Sequence, residues 1–225
     1  MTDSMIYKLI QKDLKINQTP ILLWSLPAVA GILTANLIPG LVAANIGFCL
    51  LASAIIGAGI HMVTHTVLFD HLKGTHIFIM SLPVTFKQYT LSKLLVNIGV
   101  FYVMWALLSA VCIYVTFSQG ILPMGSLPMM CMVLLSVLPL YSLILSVCII
   151  TQSIGYTVVT AVTSSFATPA YLWAVVYWDS VGTYVWGNQA VWNITVYSIM
   201  IAQVLIAIII PVLTVMIQFR KKDFI

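Results

Sequence analysis

Six long apolar runs, separated by short polar breaks, set the pattern of the chain. They cover residues 21–38, 41–68, 94–117, 127–150, 156–178 and 191–219. Each is near or above the roughly 20 residues that a helix needs to cross a hydrocarbon core. The breaks are Pro39-Gly40, the stretch 69–97, Gln119-Gly120 through Pro128, Thr151 to Gly155, and 179–189. This pattern predicts an all-α membrane protein with six transmembrane helices in a single transmembrane domain, 1–225. The run 41–68 is longer than a bilayer needs, so it tilts or continues beyond the membrane. Its Ala43, Gly47, Ser53, Gly57 and Ala58 permit close helix approach.

Ahead of the first run, residues 5–17 read as an amphipathic interfacial helix. Lys8, Gln11, Lys12 and Lys15 share one narrow arc, and Met5, Ile6, Leu9, Ile10 and Leu14 occupy the rest. Asp13 falls among the apolar positions. A carboxylate there needs a partner, and the expected one is a cation or a helix N-terminus; the alternative is a frayed terminus with Asp13 in water. Pro20 then opens the first span. Ala28-Val29-Ala30 has the form of a signal-peptidase site, but the preceding segment is too long and contains Asp13, so cleavage is not expected.

Composition agrees with the pattern. Of 225 residues, 62% are hydrophobic and 6% charged, against about 25% charged in soluble domains. Glutamate is absent, which excludes HExxH zinc chemistry. The basic residues form three groups: Lys8, Lys12 and Lys15; Lys73, Lys87 and Lys93; and Arg220, Lys221 and Lys222. Two runs separate the first group from the second, and four separate the second from the third. All three therefore fit one side, expected to be cytoplasmic with both termini. Each group abuts a membrane run, so nucleic acid is not an expected partner. Trp and Tyr concentrate in 173–192 on the other side, as interfacial belts do. That segment is also long enough for a short re-entrant helix. The four cysteines lie within apolar runs without CxxC spacing and read as small hydrophobes.

The stretch 70–93 carries the strongest functional signal. Thr75 can cap a short helix from His76 to Leu82, which Pro83 ends. Thr85 and Gln88 fit a capping box that starts the third span. Ile77, Phe78, Ile79, Met80 and Leu82 make the short helix apolar on nearly every side. It either tucks under its own bundle or is held by a second protein. In the fifth run, Thr157, Thr160, Ser164, Thr168 and Tyr171 share an arc of about 80°. Such a stripe packs helices together or lines a pathway. His61 and His65 lie on one helical face, with His71 and His76 beyond, which admits a metal site but supplies too few histidines for a diiron membrane enzyme. The sulfur-rich Met124 to Met132 region admits Cu(I) but also suits membrane core. No GxxxxGK[ST] phosphate loop occurs, so any ATPase must be another chain.

The order Asp70, Gly74-Thr75, the apolar helix 77–82, Pro83-Val84, Lys87 and Lys93 resembles the loop between the second and third spans of ABC-2 type ABC transporter permease subunits. Lys12-Asp13-Leu14 and Arg220-Lys221-Lys222-Asp223-Phe224 resemble that family's ends. His76 and Phe86 depart from its pattern, standing where an acidic residue and an arginine are common. The resemblance implies an export permease without catalytic residues of its own. Gly74, Thr75, Ile77, Phe78, Met80, Leu82, Pro83, Val84 and Lys87 would form a cytoplasmic coupling helix docking on a separate ATPase. Lys8, Lys12, Asp13 and Lys15 would lie on the interfacial helix, with Thr157, Thr160, Ser164, Thr168 and Tyr171 toward the pathway. ATP and Mg would bind the partner subunit, and a second permease subunit would complete a dimer in the cell membrane. The expected cargo is amphipathic or apolar, a peptide or lipid-like molecule. The alternatives are a membrane immunity or binding protein that works without an ATPase, and a His-metal membrane enzyme.

Overall fold

The computed structural model describes residues 2–38, 40–72, 74 and 85–220. Among these, all regular structure is helical: α1 (Thr2–Leu37), α2 (Leu41–Val63), a π-helical turn (Thr64–Leu68), α3 (Phe69–Leu72), α4 (Phe86–Ser118), a 3₁₀ turn (Met124–Ser126), α5 (Leu127–Thr151), α6 (Ile154–Val176), α7 (Asp179–Gly182) and α8 (Ile194–Arg220). Six helices are long and apolar enough to cross a membrane. Many large apolar side chains, such as Leu22, Val42, Leu107, Phe166 and Ile208, are exposed, as a lipid-facing surface requires. Lys8, Lys12, Lys15, Lys87, Lys93 and Arg220 mark one end of the bundle and the Trp-rich segment before α8 marks the other.

The expected break between an interfacial helix and a first span is not present. Residues 5–17 and 21–38 belong to one helix, α1, with Pro20 and Pro27 inside it. Pro20 therefore does not open a helix. It removes one backbone hydrogen bond from a continuous one, and the ion pair of Asp13, described below, holds the segment before it against the bundle.

Helix α2 continues past the apolar run 41–68, one of the two outcomes its length allows. The π turn and α3 carry it to Leu72 without interruption. The third helix begins at Phe86, because Thr85 and Gln88 form the reciprocal capping box that the sequence suggests: Gln88 N–H donates to Thr85 Oγ1 at 3.3 Å, and Thr85 N–H donates to Gln88 Oε1 at 2.9 Å.

Two trios of helices compose the bundle. α1 lies along α2, and both pack on α4; α5 lies against α6 and α8; α4 then joins the trios through α5 and α8. The α1–α2 crossing is set by glycine. A Cβ on Gly31 would sit 2.6 Å from the carbonyl oxygen of Gly47, and one on Gly47 would sit 2.5 Å from that of Gly31. Nearer the lysine-rich end, the Trp24 ring occupies the space that a side chain on Gly57 would need. Polar braces tie the second trio together. Gln203 Nε2 donates to the Met132 carbonyl at 3.1 Å, Gln218 Nε2 to that of Ile149 at 2.7 Å, and Ser142 Oγ to that of Ala207 at 3.1 Å. In an apolar medium such bonds face little competition from water, so a few suffice to fix register.

At the aromatic end, residues 179–193 fold as the single turn α7 and a tight chain rather than a re-entrant helix. Val181 and Val185 are buried with Met132, Val175 and Val196, which pins the segment to the bundle. Asn193 caps α8 through Val196 N–H at 2.9 Å.

Candidate functional site: a buried charge hub and an intramembrane groove

Of five aspartates in the chain, two meet at one point near the lysine-rich end. Lys93, on α4, is 2% exposed, and its Nζ lies 3.0 Å from Oδ1 and 2.9 Å from Oδ2 of Asp13 on α1. The same ammonium lies 2.5 Å from Oδ2 of Asp70 on α3. Lys12 reaches Asp70 Oδ2 at 3.1 Å from the half-buried rim. Two carboxylates and two ammonium groups thus balance in charge. That balance is what makes burial tolerable, since an isolated charge there would be strongly penalised. The Tyr89 ring, 5.3 Å from Lys93 Nζ, adds a face for the cation.

The π turn explains how Asp70 reaches this point. One extra residue in a helical turn rotates everything beyond it by about 100°. Without Thr64–Leu68 in that form, Asp70 would point away from α4. The turn is itself held from α4: Asn97 Nδ2 donates to Thr66 Oγ1 at 2.9 Å and to the Lys93 carbonyl at 2.8 Å, while Thr66 Oγ1 donates to the Met62 carbonyl at 2.7 Å. Thr66 in the π turn, Asn97 on α4 and Asn17 on α1 therefore lie one helical turn from Asp70, Lys93 and Asp13. Asn17 is fully buried, and neither its Nδ2 nor its Oδ1 has a hydrogen-bond partner.

The carboxylate that stands out in the sequence, Asp13, thus has a cation as its partner. Lys8 and Lys15 are exposed, and Lys87 lies over the Phe219 ring at 4.8 Å, tying the start of α4 to the end of α8. Gly74 occupies a turn with φ of 66°, a conformation glycine adopts without strain. Thr75, Ile77, Phe78, Met80, Leu82, Pro83 and Val84 lie outside the described residues, as does the short helix expected from His76 to Leu82.

A second feature runs along the bundle between α2 and α6, floored by α5. Near the aromatic end it holds a cavity of about 250 Å³, beside one of about 240 Å³ walled mostly by α4 and α5; near the lysine-rich end it holds one of about 360 Å³, and a narrow pocket of about 30 Å³ lies between these ends. From Ile154 to Leu172, both in its walls, α6 rises about 27 Å, close to the ~30 Å of a hydrocarbon core. Phe48, Leu51, Ile56 and Ile60 line it from α2; Val133, Val137 and Tyr141 from α5.

The hydroxyl stripe divides on this groove. Thr157, Ser164 and Thr168 line it. Tyr171 turns to α8, where its hydroxyl accepts a 2.7 Å hydrogen bond from Gln203 Nε2, and the Thr160 hydroxyl donates to the Tyr156 carbonyl at 2.8 Å. Ser165, outside the stripe, lines three of the cavities. It escapes a search for periodic hydroxyls because the groove's arc is centred on the neighbouring, largely apolar face of α6.

The remaining candidate chemistry is committed to packing. His61 Nδ1 accepts from Trp24 Nε1 at 3.2 Å, and His65 lies between His61 and Phe69, tilted to the first ring and edge-on to the second, each ring centroid 5.1 Å away. No group of three or more metal-ligating side chains assembles among the described residues. Cys112 and Cys148 are buried as expected of small hydrophobes, but Cys49 is exposed on α2. Met130 and Met132 are buried in separate apolar clusters.

No family model, curated protein or solved structure matches this chain. Fold and site therefore define its class: an all-helical polytopic protein with a buried charge hub at one end and an apolar groove along its depth.

Proposed function

We propose that this chain is the membrane permease subunit of an ATP-driven exporter of the ABC-2 type, and that it moves an amphipathic or apolar cargo across the cell membrane. The groove between α2 and α6 is the observation that carries the reading. It spans a bilayer's thickness, is walled by aliphatic side chains and offers only scattered hydroxyls. Such walls suit a lipid-like molecule or an apolar peptide and disfavour a charged sugar. On this proposal the ATPase is a separate cytoplasmic subunit, since this sequence carries no phosphate loop, and it docks at 70–93, the stretch that resembles a coupling loop. In this reading both termini are cytoplasmic, and two permease subunits flank the pathway. Transport then rests on differential binding between two conformations, with no covalent chemistry in the chain.

Affinity purification of the full chain from its native membranes tests the proposal. An ATPase that co-purifies in stoichiometric amount, and whose hydrolysis rate changes on reconstitution with the chain, is the expected result. Normal cellular function after deletion of every candidate ATPase partner would replace the exporter with an immunity or binding protein.

A further inference from the structure

The segment of α1 before Pro20 is attached to the bundle in an unusual way. Across residues 6–19, only Asp13 and Asn17 are buried. Ile6, Leu9, Ile10 and Ile16 are partly covered, and Leu14 is 38% exposed. A helix arm that docks by the hydrophobic effect buries aliphatic side chains. This one buries a carboxylate and an amide. Its hold comes from Asp13 on Lys93 and from Lys12 on Asp70.

Three further observations bear on how firm that hold is. Pro20, at the arm's root, has no N–H to return to the carbonyl of Ile16, so the helix is weakest where the arm meets the span. Asn17, one turn from Asp13 on the same face, is buried with both polar ends unpaired, which penalises the docked position. Beyond Pro20, α1 is locked to α2 by the Gly31–Gly47 approach and by Trp24 over Gly57, with its indole on His61, so only the arm is free to leave.

We infer that residues 6–19 form a hinged strap, docked by the Lys93 hub and released about Pro20 when that hub is opened. Released, the strap lies in the membrane interface with Lys8, Lys12 and Lys15 toward headgroups and its aliphatic residues toward lipid, a position its amphipathic sequence suits. Docked, it places Lys12 on Asp70 of α3, so that the strap and the far end of α2 meet through Asp70 and Lys93. The inference does not depend on what the α2–α6 groove carries.

Hydrogen–deuterium exchange of the full chain in lipid nanodiscs tests it, with wild type, Lys93→Met and Asn17→Leu compared. Lys93→Met is expected to speed amide exchange at residues 6–19 by at least tenfold while leaving residues 21–37 and α5 unchanged. Asn17→Leu, which removes the unpaired polar ends, is expected to slow exchange in the same arm. Acceleration spread equally over the arm and α5 in Lys93→Met would mean that the hub only holds the bundle together, and would overturn the strap. So would faster exchange of the arm in Asn17→Leu, or an arm as protected as residues 21–37 in all three proteins.

Discussion

Lys93 and Asp13, eighty residues apart in sequence, form a buried ion pair in which one ammonium contacts both carboxylate oxygens. With Asp70 on the same ammonium, this pair joins α1, α3 and α4. Removing one partner of a buried pair leaves an uncompensated charge and costs about 3–5 kcal/mol. Lys93→Met leaves two carboxylates to the half-exposed Lys12 alone, so it is expected to lower the thermal unfolding midpoint of the purified protein steeply. Lys12 is 32% exposed at its side chain, and Lys12→Met is expected to cost under about 1 kcal/mol. Equal losses in the two variants would show that the hub is not centred on Lys93.

The α1–α2 crossing makes a different prediction, because its contacts are between backbones. A methyl group on Gly31 meets the Gly47 carbonyl oxygen at 2.6 Å, and a backbone atom cannot turn aside as a side chain can. Gly31→Ala and Gly47→Ala are each expected to cost about 1–3 kcal/mol by overpacking. Gly99→Ala is the control, since nothing lies within 4 Å of the added atom. Unfolding midpoints in detergent for the three variants check the ordering.

These two sites show where the sequence was legible. The six apolar runs, the capping box at Thr85 and the need of Asp13 for a partner all follow from local rules, because each concerns a residue and its medium or its near neighbours. Continuity of α1 through Pro20 does not follow, since the segment before the proline is held by the pair of Asp13 with Lys93, eighty residues along the chain. The π turn at Thr64–Leu68 has no local signal either. It depends on Asn97 accommodating Thr66 and on Lys93 drawing in Asp70. Ser165 was hidden because a groove is a property of three helices, and periodicity within one helix locates only a face.

Exposed aromatics at the far end lead to a third expectation. Tyr177 and Trp186 are each 75% exposed, and Trp173, Trp178, Tyr184 and Trp192 accompany them. Val181 and Val185 pin this segment to the bundle, so the rings keep a fixed height. Aromatic rings of this kind settle at the headgroup level. In reconstituted vesicles, tryptophan fluorescence is expected to be quenched most by lipids brominated near the glycerol end of the acyl chain. Trp186→Ala and Trp178→Ala should each reduce that shallow component. Quenching that is strongest from mid-chain bromines would place the segment deeper than a belt.

Access to the groove tests its role most directly. Ser165 and Thr168 line it at its narrow pocket, beside Ser164 and Tyr141, whereas Phe166, one residue away, is 73% exposed on the outer face of α6. A lipid-filled crevice excludes a charged maleimide from all three positions at all times. A pathway that opens during a transport cycle admits it to the first two only while the cycle runs. Cys49, exposed on α2, needs prior replacement because it would also react. In that background, Ser165→Cys and Thr168→Cys are expected to label in membranes only when ATP and the ATPase partner are present, and Phe166→Cys to stay unlabelled throughout. Filling the same space with Ser165→Phe should then stop transport while changing unfolding stability by about 0.5 kcal/mol or less, since Ser165 is exposed in the groove. Labelling at Ser165→Cys that ignores ATP would leave the groove as a fixed crevice and remove the main support for a transport pathway between α2 and α6.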